Sequence, residues 1–388
     1  MIVVVLLVVG LLAGIAPLVY TQARRVLGLY DPTASSDGVT LRTLPLRGSV
    51  AYSPDGRTLA SWSDSGTVEL WDVHEGTRRH VLPFAVNTRA RYSNREVVFA
   101  PDGDAVATEL HDGQTIQIWD TQTGATRAVI KAPVTDPEGL MPLRGSKLMY
   151  SSDGRTIAAT GDHLRLWDVA TGTLRHQIDV PARAAAFAPD GRTIAAVAER
   201  HGGIWDVATG AQVHPLDPSG GHFSWTVGFA PDGRTVVADG DRVRAWNVAT
   251  GAVRWSSGLY EGSKPVYAPD GSLLAVRNGD DVWLVDPESG EKLRTLRGLH
   301  GLLIAVGNIE QVDQVAWAPD SHTLVVRHSP ANESWARTPQ VWDVKTGTAL
   351  QILKGHRSPV HDVAYSPDGR NITTVSGDGT ARIWRAAP

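Results

Sequence analysis

An aromatic residue standing three positions before a Pro-Asp-Gly-type turn recurs eight times along the chain, and this recurrence limits the fold more than any other feature. The instances are Tyr52 before Asp55, Phe99 before Asp102, Tyr150 before Asp153 and Phe187 before Asp190. The series continues with Phe229 before Asp232, Tyr267 before Asp270, Trp317 before Asp320 and Tyr365 before Asp368. Beyond most of these turns comes an aliphatic-Trp-Asp step, at Trp71, Trp119, Trp167, Trp205, Trp246, Trp342 and Trp384, with Val285 in the sixth slot. A second turn comes next, as in Val169-Ala170-Thr171-Gly172 and Val207-Ala208-Thr209-Gly210.

Ser53-Pro54-Asp55-Gly56 suits a tight reversal, because proline presets φ at the second position and glycine tolerates positive φ. Short β-branched and aromatic runs flank such turns, for example Val227-Gly228-Phe229 and Thr235-Val236-Val237. Each unit reads as strand, Pro-Asp-Gly turn, strand, variable loop, strand ending in Trp-Asp, Thr-Gly turn, strand. Four strands with a period of about 40 residues specify a propeller. The expected class is all-β, an eight-bladed propeller of four-stranded blades, with a seven-bladed ring as the alternative.

The sequence resembles the tryptophan–aspartate (WD) repeat family over residues 38 to 388, and the last unit matches it most fully. That unit carries Gly355-His356, Asp362, Ser366-Pro367-Asp368-Gly369, Ser376-Gly377-Asp378-Gly379-Thr380 and Ile383-Trp384. The resemblance implies a buried blade network of His356, Thr374, Asp378 and Trp384. It also implies a bacterial-type, membrane-anchored member of the family. The first seven units lack the Gly-His pair, so their blades are expected to rely on aromatic packing.

Only Arg385-Ala386-Ala387-Pro388 comes after Trp384, which leaves the eighth unit without an outer strand. Residues 39–44, Val-Thr-Leu-Arg-Thr-Leu, read as the missing strand, and pairing them with the last blade would remove two exposed edges. The propeller is therefore assigned to residues 39–388 and a linker to 21–38. Residues 1–20 carry no charge and reach roughly 30 Å as a helix, the thickness of a bilayer core. No basic residue precedes this stretch and its apolar core is long, which favours an uncleaved transmembrane helix over a signal peptide. Arg24 and Arg25 lie just beyond it, so the positive-inside rule makes this a single-pass membrane protein with a cytoplasmic propeller.

The chain has no cysteine, no His-Glu-x-x-His, no Gly-x-Ser-x-Gly and no phosphate-binding glycine loop. Its thirteen histidines show no metal-ligand spacing, and its net charge of −4 contains no basic run suited to nucleic acid. No catalytic residue, metal or cofactor is expected. The stretch from Ala245 to Trp255 is similar to the docking motif of eight-bladed quinoprotein dehydrogenases, in which a second Trp stands after the Thr-Gly turn. That resemblance implies the rival reading, a propeller enzyme or small-ligand sensor with a site at the central channel.

In an up-and-down blade, the Pro-Asp-Gly and Thr-Gly turns share one face and vary little. The connections on the opposite face are irregular, as in 80–96, 131–147, 211–226, 300–313 and 328–340. They supply Arg89, Arg91, Tyr92, His222, Trp225, Trp335 and Arg337. Trp, Tyr and Arg are frequent interface anchors, and binding residues concentrate on loops above a rigid scaffold. The expected function is a monomeric, non-enzymatic, membrane-anchored scaffold or sensor that binds protein partners on this face. Convergent charged groups in the channel would favour the rival.

Overall fold

The computed structural model describes residues 36–45, 49–62, 67–82, 97–110, 115–132, 147–219, 221–258, 263–279, 281–297, 312–328 and 338–387. Its strands form eight separate sheets, each built on an antiparallel ladder of four strands, which excludes the seven-bladed alternative. The innermost strands of blades 1 to 4 are Val50–Tyr52, Val97–Phe99, Leu148–Tyr150 and Ala184–Phe187. Those of blades 5 to 8 are Phe223–Phe229, Val266–Tyr267, Val312–Trp317 and Val360–Tyr365. The innermost strand of blade 1 lies against those of blades 2 and 8, so the ring is closed.

Apolar packing lies between blades rather than within them. Each of the eight core clusters straddles one interface: Ala60, Val68 and Leu70 of blade 1 pack with Val97, Val106 and Trp119 of blade 2. At the seam, Leu44, Val375 and Ile383 meet Leu59 and Trp71. A lone unit would leave both faces in water, which is why the sequence must repeat and the ring must close. The recurrent aromatic is the wedge in this joint. The Tyr52 hydroxyl meets the Thr373 hydroxyl of blade 8 at 2.5 Å, Tyr365 meets Thr323 of blade 7 at 3.0 Å, and the Trp317 indole donates to the Val266 carbonyl at 3.1 Å.

A second joint runs around the rim. The residue nine positions after the Trp-Asp tryptophan reaches the Thr-Gly turn of the next blade. His80, His176 and His214 contact the carbonyls of Gln122, Ala208 and Ala249 at 2.8, 2.9 and 2.9 Å. Trp255 occupies the same place in blade 5, donating to the Pro287 carbonyl at 2.8 Å, and Arg294 in blade 6 donates to that of Thr346 at 3.0 Å. The turn glycine sits flat against this side chain. A Cβ on Gly290, whose φ is +73°, would lie 2.6 Å from the Trp255 ring. Trp255 is thus one version of a strut that most blades build from histidine or arginine.

Closure uses the chain start twice. Thr40–Leu44 pairs antiparallel with Thr380–Arg385 and supplies the outer strand of blade 8. Just before it, Ser36–Asp37 pairs in parallel with Gln351 and Ile352 of blade 7, making that sheet five-stranded. The end of the expected linker is therefore a strand. Gly38 threads between the two blades, where a Cβ would meet Leu353 at 2.8 Å and Trp384 at 3.0 Å. The expected transmembrane segment, residues 1–20, lies outside the described residues. Among those described, no helix is long and apolar enough to cross a membrane.

Candidate interaction face

In blade 8 the four residues expected to form a network are in contact. One ring nitrogen of His356, Nδ1, faces Asp378 Oδ2 at 3.0 Å, and the other, Nε2, faces Thr374 Oγ1 at 2.8 Å. The Trp384 indole donates to the same threonine oxygen at 2.8 Å. Burial pushes the His356 pKa below its ordinary value despite the neighbouring carboxylate. A neutral ring donating from Nδ1 then leaves Nε2 to accept the threonine hydroxyl proton. Burial alone would raise Asp378, but Thr380, the Arg357 amide and His356 outweigh it and hold the carboxyl well below the usual range.

Other blades solve this position differently. In blades 3 and 5 the tight turn between the second and third strands is closed by an Asp-x-x-Arg pair. The fully buried Arg165 side chain binds Asp162 at 2.6 and 3.2 Å, and Arg244 binds Asp241 at 2.8 and 3.3 Å. Among the described residues, the buried indoles of Trp167 and Trp246 have no hydrogen-bond acceptor. These blades are held by packing plus an ion pair.

Of the seven expected anchors, His222 and Trp225 fall among the described residues; Arg89, Arg91, Tyr92, Trp335 and Arg337 lie outside them. Segment 211–226, expected to be a loop, is largely strand: Gln212–Pro215 is the outer strand of blade 4, and Phe223–Phe229 opens blade 5. The ladder slips between Phe223 and Val227, and this irregularity accommodates Trp225 on the innermost strand of blade 5. Trp225 is 55% exposed although it sits on a central strand. Its amide and that of Thr226 donate to Asp239 Oδ1 at 3.1 and 2.7 Å, which fixes the bulge. Above the ring stands the Arg183 guanidinium of blade 4, 5.1 Å from the centroid, itself paired with Glu199 at 3.0 Å. His222 is held through its backbone, its amide donating to Asp241 at 3.3 Å.

At the centre of this face a cavity of about 530 Å³ opens on the ring axis. Blades 1, 2, 3, 6, 7 and 8 all contribute to its wall, including Ser49, Lys147, Lys264, Gln314 and Asp362. These five stand three residues before their blade's recurrent aromatic. Asp362 stitches the seam: it accepts from the Val50 amide of blade 1 at 2.9 Å and from Gln314 of blade 7 at 2.9 Å. Gln314 in turn accepts from Arg327 at 3.2 Å. Burial pushes the Asp362 pKa up despite these donors. The channel mouth is thus charged, a feature that on sequence grounds belongs with the rival. Among the described residues, no group of three or more His, Asp or Glu could hold a metal ion.

The family described as "WD domain, G-beta repeat" matches residues 42–72 and 347–385; the first stretch holds part of blade 8's outer strand and the first three strands of blade 1, the second runs from the Thr-Gly turn of blade 7 to the end of Thr380–Arg385. "Nuclear distribution protein PAC1" of Arthroderma otae is 37% identical over 116 residues, 29% of this chain and 24% of that protein. "Coronin-7" of Mus musculus is 30% identical over 152 residues, 34% of this chain and 16% of that protein. The chain spans about a quarter or less of the length of these relatives, which are eukaryotic and give no support to a bacterial-type lineage. The solved structure of the C-terminal WD40 domain of Sif2 superposes with a TM-score of 0.72 at 14% identity, covering 91% of this chain and 99% of that one. At that identity the likeness concerns the fold alone.

Proposed function

We propose that the chain is a WD-repeat scaffold that binds a protein partner on the irregular face, without catalysis. The observation that carries this reading is Trp225, a large aromatic held rigidly in water by a bulge and stacked under Arg183. Burying such a pair offers apolar area and a cation at little entropic cost, since both are already ordered. The matching family and the partial relatives support an interaction role. The uncharged residues 1–20 support the further proposal that a membrane tethers the propeller.

The test uses the full chain as bait, with captured proteins identified by mass spectrometry and affinity then measured for the main one. Trp225→Ala should weaken that affinity by about 1–2 kcal/mol. Thr209→Ala, on the opposite face, should leave it unchanged. Equal affinities for the two variants would remove the face from the account. Alkaline carbonate extraction of the same preparation tests the tether, which predicts retention in the membrane pellet; release into the supernatant would contradict it.

A further inference from the structure

The axial cavity is unevenly charged. Lys264, Arg277 and Arg327 all converge on one carboxylate, that of Asp313. Arg327 binds it directly through Nη2, while Arg277 Nη1 and Lys264 Nζ lie 3.8 and 3.9 Å from Oδ1. Arg277 also donates to the Asp313 backbone carbonyl at 2.6 Å. Lys147 stands exposed on the wall from blade 3, close enough to repel Lys264. The other carboxylates near this cluster are Asp362, engaged by Val50 and Gln314, and the fully buried Asp239, engaged by Trp225 and Thr226. Among the described residues, four cations therefore meet three carboxylates, Asp313 beside three of them, Asp239 attracting Arg277 and Asp362 attracting Arg327, so cations outnumber carboxylates here in a protein whose net charge is −4.

Burial of these groups increases from rim to floor. Lys147 is exposed, Lys264 is half-buried, and the side chains of Arg277 and Arg327 are only 12% and 10% accessible. Lys264 has φ +38°, an uncommon conformation for a residue with a side chain and a cost that concentrates at functional sites. Burial pushes its ammonium pKa down, and Arg277, Lys147 and Arg327 add to this against the pull of Asp313. An incoming anion would relieve that repulsion, and its hydration would be replaced by fixed donors in a low-dielectric site.

We infer that the axial cavity receives an acidic peptide segment of the partner, with its carboxylates held by Lys147, Lys264 and Arg327, which line it, and with Arg277 adding charge through Asp313. This deepens the interaction reading and rests on it. A graded ladder of cations suits an extended chain entering from solvent better than a compact solute, which would need its ligands at one depth. The cavity also opens on the same face as Trp225, so one partner could engage both.

The probe is a fluorescein-labelled hexaglutamate peptide, titrated against the full chain by anisotropy, with labelled hexaglutamine as control. Hexaglutamate should bind at low ionic strength, weaken at physiological salt, and outcompete hexaglutamine. Lys147→Gln with Lys264→Gln should weaken it about tenfold or more, with thermal unfolding unchanged. Lys292→Gln with Lys345→Gln, an equal charge change on the rim and the opposite face, should leave it unaltered. Equal weakening by both pairs would reduce the effect to net charge and overturn the site. Binding of citrate without binding of hexaglutamate would overturn the peptide assignment in favour of a small carboxylate. No binding of either, while Trp225→Ala still loses the captured partner, would sink the cavity inference and leave the scaffold reading standing.

Discussion

His356 shows how one residue ties fold to conditions. Its ring is buried against Trp384 and shares a proton arrangement with Asp378 and Thr374. Burial holds the folded-state pKa below the ordinary value, so the unfolded chain takes up the proton first as pH falls through about 6.5. Stability should therefore decline between pH 7 and 5, before the depressed Asp378 adds its own loss below about pH 4. His356→Gln should cost about 1–3 kcal/mol at pH 7 through the broken network, yet show a shallower decline from pH 7 to 5. Thermal unfolding of both proteins at the two pH values decides the matter, since the other histidines are common to both. Identical slopes would mean that His356 is not the titrating group. The four members of this network were legible because Gly355-His356 and Ser376-Gly377-Asp378 keep a family spacing. Arg165 and Arg244 were not, because nothing in a single sequence shows that a tight turn brings an arginine side chain inside.

At the scale of elements, the missing eighth outer strand was readable from the shortness of the chain beyond Trp384, and Thr40–Leu44 takes that place. Ser36–Asp37 is not legible in the sequence, because a two-residue strand has no periodicity and its pairing depends on an edge more than 300 residues further along. The struts were open to discovery by counting nine from each Trp-Asp tryptophan, a spacing whose meaning appears once the next blade is in place. Gly38 is the hinge between the two parts of the clasp. Gly38→Val would drive methyl groups into Leu353 and Trp384, at a cost of about 1–3 kcal/mol. Gly258→Ala, where a Cβ meets nothing within 4 Å, is the control. Limited proteolysis and thermal unfolding should find the Gly38 variant cut early near its start and melting lower. A Gly38 variant as stable as the control would show that the clasp adds little to closure.

For the whole molecule, the described residues give each of eight interfaces its own apolar cluster, so the ring is held joint by joint, and its two faces differ in kind. Uniform turns fill one face, most of their glycines set against the preceding blade's proline or rim strut. The other holds Trp225, Arg183 and the charged axial cavity. The sequence separated these faces through the constancy of one set of turns, and it singled out Trp225. It did not show the cavity, because Lys147, Lys264, Arg277 and Arg327 are far apart in the chain and converge only when blades 3, 6 and 7 close around an axis. Whether partners bind on the irregular face is best decided by hydrogen exchange of the full chain, with and without the partner obtained by capture. Exchange should slow at Ser49, Lys147, the bulge at 223–226 and Lys264, with the Pro-Asp-Gly and Thr-Gly turns unchanged. Protection confined to those turns or to the outer strands would place the partner elsewhere and refute binding on the irregular face.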